Sequence, residues 1–213
     1  MTSDFSDVSD LLSQAVAGDQ QALAELFSRY RDRLKRMIHL RLSRRLQGRV
    51  DASDVLQEAH LEVARRLEEY VQQPSLPFFL WLRALTGQKL ALAHRQHLGV
   101  QARAAGREVS LHRGALPEAS SAALAAQLLG RLTSPSQAAM KAELRIRVQD
   151  ALNSMDAMDR EVLTLRHFEH LSNAEAALVL GIKESTACNR YVRALERLRG
   201  ILGGAGGLDR DER

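Results

Sequence analysis

The sequence predicts an all-α protein: two small helical domains joined by a long flexible linker. Three observations carry that prediction. Alanine and leucine dominate while aromatics make up only 4% of the 213 residues, which favours helices over sheets. Apolar side chains recur at three- and four-residue spacing in two separated stretches. Between them lies a Gly-, Ala- and Ser-rich segment of weak periodicity.

The elements follow in order. From Asp10 onward the pattern is helical, with Leu23, Leu26, Phe27, Tyr30 and Leu34 on one face and Val55, Leu56, Ala59, Val63 and Leu67 on another. "YVQQPSLPFF" breaks the pattern, because Pro74 and Pro77 stop helices and shape a loop. A helix from Phe79 to His97 completes a first domain, residues 10–97. The linker spans residues 98–137, with "AALAAQLLGRL" as a short helix inside it. Periodicity returns over a second domain, residues 138–202, and the Gly-rich tail 203–213 is expected to be disordered.

Bulk properties exclude several classes. No apolar run approaches the roughly 20 residues that span a bilayer, and "MTSDFSDVSDLL" lacks the pattern of a signal peptide. The expected location is the cytoplasm, without membrane insertion. The single Cys188 forms no internal disulfide framework and suits a reducing compartment. His94-x-x-His97 and His167-x-x-His170 have helical spacing but no cysteine or carboxylate set to complete a metal site. Gly-rich phosphate loops and nucleophile constellations are also missing, so neither enzyme activity nor a cofactor is expected.

The net charge of +4 is unevenly placed. Basic residues crowd between Arg31 and Arg49, acidic ones follow at Asp51, Asp54, Glu58 and Glu62, and Arg190, Arg193, Arg197 and Arg199 are basic again. Blocks of opposite sign suggest one polyanionic partner and one protein partner, with solvated helix faces as the plain alternative. Asp54, Glu58 and Glu62 follow one another at four-residue intervals and share a helical face with Asp51. Like charges so spaced mildly destabilise a helix, so a basic partner or the nearby arginines must offset them.

The stretch from Leu171 to Arg199 reads as two helices around a tight turn. Ser172 and Glu175 form a capping box, and Leu171 before the cap suits a hydrophobic staple. Gly181 suits the left-handed residue that ends the first helix, and Ile182 can pin the pair together. The second helix carries Ala187, Tyr191, Ala194 and Leu198 on one face and Cys188, Asn189, Val192 and Arg193 on the other. A helix-turn-helix presents such a second helix to the DNA major groove, where Arg and Asn read base edges and Arg and Lys neutralise phosphates. An ordinary helical hairpin with a charged outer face is the alternative.

The longer string "ALNSMDAMDREVLTLRHFEHLSNAEAALVLGIKESTACNRYVRALERLRGIL" resembles region four of bacterial extracytoplasmic-function (ECF) sigma factors. "VDASDVLQEAHLEV" and "PFFLWLRALTGQKLA" resemble region two of the same family, in the family's order. The resemblance implies a subunit that binds core RNA polymerase and directs promoter-specific initiation. Region two would grip the polymerase clamp and recognise and melt the minus-ten element. Region four would read the minus-thirty-five element. On this reading Asp54, Gln57 and Glu58 meet the polymerase. Arg166, Cys188, Asn189, Arg190, Val192 and Arg193 meet upstream DNA, and Trp81, Gln88 and Arg95 meet melted DNA. Core packing is the plain alternative for Trp81, and pairing with Glu184 for Arg190. An anti-sigma factor is a further partner the family allows. Three positions depart from the family pattern: Lys183 where a capping Ser is common, Cys188 where Arg or Lys is common, and Gln88 for Asn. A free-standing helix-turn-helix regulator is the competing function.

Overall fold

The computed structural model describes residues 3–43, 45–98, 116–130 and 138–204. The disordered tail expected over 203–213 starts too early, since 203 and 204 are helical; 205–213, and most of the linker expectation, lie outside the described residues. Among the described residues every regular element is a helix. The chain divides into two compact units, Met1–Pro117 and Glu118–Arg213.

In the first unit, α1 (Ser3–Val16) begins earlier than the apolar pattern suggests and packs on α2 (Gln20–Arg41). Asp19 caps α2 by accepting from the backbone N–H groups of Gln21 at 2.8 Å and Ala22 at 3.2 Å. The expected face is buried at Leu23, Leu26, Phe27 and Leu34. A short turn carries the fully buried Leu46 and leads to Asp51, which caps α3 (Ala52–Gln72) by accepting from Ser53 N–H at 2.7 Å. Val55, Leu56, Ala59, Val63 and Leu67 are the buried face of α3.

Helix α4 (Phe78–Leu98) packs against both α2 and α3 and is buried almost all round at its start, from Phe78 to Gly87 apart from Ala84. A helix buried on every side is central by construction. The Tyr70 hydroxyl donates to the Leu76 carbonyl at 2.9 Å, which fixes the Pro-flanked loop against the end of α3. Past residue 115 the chain lies on this unit again. Leu116 packs so closely over Gly87 that a Cβ there would meet its Cδ2 at 2.5 Å. The buried Arg41 guanidinium donates to the Pro117 carbonyl at 3.1 Å.

In the second unit, α5 (Ser121–Leu129) falls within the stretch the sequence assigns to the linker. Ser120 caps it, and its buried Leu124, Ala125 and Leu129 accompany packing on α6 (Ala138–Asn153). Asp156 caps α7 (Ala157–Leu163), which runs into one π-helical turn, Thr164–Phe168. The helix-turn-helix follows. Ser172 Oγ accepts from Glu175 N–H at 3.1 Å, and Ser172 N–H donates to Glu175 Oε2 at 2.7 Å, completing the expected capping box on α8 (Asn173–Leu180). Leu171 is buried, and Gly181 takes the left-handed conformation at φ 62°. Helix α9 (Glu184–Gly204) packs on α6, α7 and α8.

Candidate DNA and polymerase interfaces

The burial pattern of α9 follows its composition. Ala187, Ala194 and Leu198 are buried, while Cys188, Asn189, Val192 and Arg193 are exposed. Glu184 and Ser185 extend that exposed stripe to the start of the helix. Positions i, i+1, i+4 and i+5 share one side of a helix, so this side is open from its first turn. Lys183 has no side-chain oxygen to cap α9, and the side chain that reaches the first turn bonds a carbonyl rather than the helix N–H groups. The Asn173 amide donates to the Glu184 carbonyl at 3.0 Å and lies 3.4 Å from Glu184 Oε1.

The arginines of this unit divide. Arg193 is 61% exposed and only approaches Asp159 Oδ1, at 3.7 Å. Arg190 Nη1 donates to Asp159 Oδ1 at 2.5 Å and to Asp156 Oδ1 at 3.0 Å. The hydrogen bond that Arg190 donates to Asp159 is the main reason that its pKa is raised. Arg190 therefore does not pair with Glu184; its partners lie on α7 and its cap. Arg166 Nη1 donates to the Leu171 carbonyl at 2.7 Å, and its guanidinium carbon sits 5.2 Å from the Tyr191 ring centroid. Arg166 thus ties the π-helical turn to the residue before the α8 cap and to α9.

In the first unit the acidic face is partly spent internally. Asp51 is a cap, and Glu62 accepts from Lys89 Nζ at 2.8 Å across α3 and α4. That hydrogen bond holds the Glu62 carboxyl below its ordinary pKa. Asp54, Gln57 and Glu58 are exposed, and among the described residues neither Asp54 nor Glu58 has an ion-pair partner. Asp54 and Glu58 line a groove of about 320 Å³ between α3 and α4, together with Arg49, Lys89, Leu92 and His97.

The three candidate contacts to melted DNA are placed differently from one another. Trp81 is 3% exposed and stacks on Tyr70 with centroids 4.5 Å apart, within an aromatic cluster that includes Phe78. Gln88 is half-buried and Arg95 is exposed.

Comparison with known proteins separates the two functions the sequence left open. The family model for Sigma-70, region 4 matches residues 145–198. The chain is 31% identical over 196 residues to the ECF RNA polymerase sigma factor SigD of Mycobacterium tuberculosis, covering 92% of this chain and 84% of that protein. The chain belongs to the ECF RNA polymerase sigma factor family. Its resemblance to BldN of Streptomyces coelicolor is 27% over 199 residues, covering 92% of this chain and 67% of that protein. CarQ of Myxococcus xanthus is 28% identical over 188 residues, 87% of this chain and 92% of that protein. The fold matches a solved structure of CnrH in complex with the cytosolic domain of CnrY, with a TM-score of 0.52 at 22% identity over 91% of this chain and 96% of that one.

As an ECF sigma factor the chain works with RNA polymerase in directing transcription, and the free-standing regulator is set aside. The region-four match runs from α6 into α9 and so contains α8, the turn and α9 as far as Leu198. Three residues of this sigma factor's architecture escape sequence reasoning: Asp156, Asp159 and Asn173. Asp156 carries a local signal, an acidic residue just before a helix. The reach of Asp159 to Arg190 and of Asn173 to Glu184 is tertiary and has none.

Proposed function

We propose that this ECF sigma factor binds core RNA polymerase through the α3 face bearing Asp54, Gln57 and Glu58. On the same reading it recognises the minus-thirty-five element with α9 and recognises and melts the minus-ten element with the first unit. The observation that carries the proposal is the open stripe of α9, exposed from Glu184 to Arg193 on a helix whose opposite face is buried. A helix so mounted fits the major groove. The unpaired Asp54 and Glu58 support the polymerase face, since exposed like charges one turn apart invite a basic partner. Arg193 and Asn189 are base or phosphate contacts from α9. Arg95, and Gln88 through its outer edge, are the contacts to melted strands. Trp81 acts there by holding α4 and the loop before it in place. Arg166 and Arg190 contribute by orienting α9.

The protein acts in the cytoplasm without catalysing a reaction of its own, and a partner of the anti-sigma kind controls it. CnrH, which shares the fold, is solved with the cytosolic domain of CnrY. Among the described residues no helix is long and apolar enough to cross a membrane. The test is a purified transcription assay with core polymerase and a genomic promoter library. Initiation at specific sites is the expected result; tight binding to duplex DNA without any association with core polymerase would refute the proposal.

A further inference from the structure

The open stripe of α9 has a chemistry that its arginines do not explain. Cys188, Asn189 and Val192 lie along its middle, all exposed, and Val192 leaves 46% of its surface in water. The cations nearby are committed or lateral. Arg190 is held by Asp156 and Asp159, and Arg197 donates to Ser154 Oγ at 2.9 Å. Arg193 stands beside Val192 at the far end of the stripe. The centre of the reading surface is therefore neutral, with two small apolar side chains one turn apart.

Base pairs present different groups to such a surface. Guanine offers O6 and N7, which suit a cation, whereas thymine offers a C5-methyl group, which suits apolar side chains. Asn is the side chain that pairs with adenine N6 and N7. We infer that α9 recognises an A·T pair in the upstream element through the thymine methyl, which packs against Cys188 and Val192 while Asn189 faces adenine. This rests on the proposed entry of α9 into the major groove and specifies what it reads there.

The full chain assembled with core polymerase selects upstream elements from a randomised duplex pool. Each thymine of the selected element is then replaced by uracil, which removes the methyl group and nothing else. At one thymine or more, binding falls about four-fold, the cost of exposing roughly one buried methyl group. Val192→Ala or Cys188→Ser diminishes that difference, and both variants keep the wild-type melting temperature because these positions are on the surface. Indifference to uracil at every thymine overturns the inference, as does a methyl effect that neither variant diminishes. Failure to select any upstream sequence overturns the promoter reading itself, and this inference with it.

Discussion

Arg190 and Arg193 lie one turn apart on α9, yet Asp159 holds the first at 2.5 Å and approaches the second at 3.7 Å. The difference follows from position on the helix. Arg190 flanks the buried face and lies over α7, whereas Arg193 projects from the open stripe. Arg190→Ala should cost about 1 kcal/mol of stability, the upper end for a partly exposed pair. Asp159→Asn should cost a similar amount, and the double variant little more than either. Urea melts of the three variants check this, and additive losses would contradict the pairing. Trp81 shows the same dependence on surroundings. Its stacking on Tyr70 predicts a loss of roughly 3 kcal/mol or more for Trp81→Ala. Trp81→Phe should fold and still open promoter DNA in a permanganate footprint; a folded Phe variant unable to melt the promoter would restore a direct base contact.

Local rules account for each element of the helix-turn-helix. The capping box satisfies two backbone groups at the start of α8, so Ser172→Ala should lose about 1 kcal/mol. Gly181 at φ 62° carries no Cβ to strain, and Gly181→Ala should lose about 1 kcal/mol as well. Thermal melts measure both. Helices α3 and α4 are further joined by Glu62 and Lys89. Because the folded Glu62 pKa is lowered, this pair stabilises fully above the ordinary value of 4.5 and is lost as the pH falls through the folded value. The stability difference between wild type and Lys89→Met should therefore shrink as the pH drops below 4.5, as followed by denaturant melts at each pH. The capping box and Gly181 were legible in the sequence because their partners are three or four residues away. The Glu62–Lys89 pair was not, because 27 residues separate its members.

For the whole molecule, the division into two units separates two kinds of surface. The first unit exposes unpaired carboxylates on α3, and the second exposes the stripe of α9. Glu58→Lys should weaken association with core polymerase at least ten-fold, because it replaces an attractive contact with a repulsive one. Circular dichroism should show unchanged helicity, and Glu58 is exposed enough to change without cost to the core. Undiminished co-migration of this variant with core polymerase would reject the α3 face as the docking surface. The linker was the least legible part of the chain. Its weak periodicity lets the short helix α5 show but conceals that it belongs to the second unit, because the buried Leu124, Ala125 and Leu129 make sense only against α6. It also conceals Leu116, whose contact with Gly87 depends on the path of α4.

The sequence by itself determined the helical fold, the caps and turn of the DNA-binding motif, and the family, because spacing along one helix and short motifs are local properties. Tertiary structure alone decided which charged groups remain available. Ion pairs between helices consume Glu62 and Arg190, and a hydrogen bond to the Leu171 carbonyl consumes Arg166, while Asp54, Glu58 and Arg193 stay at the surface. A carboxylate or guanidinium is the same residue in either case. What it can bind depends on whether folding has already brought it a partner.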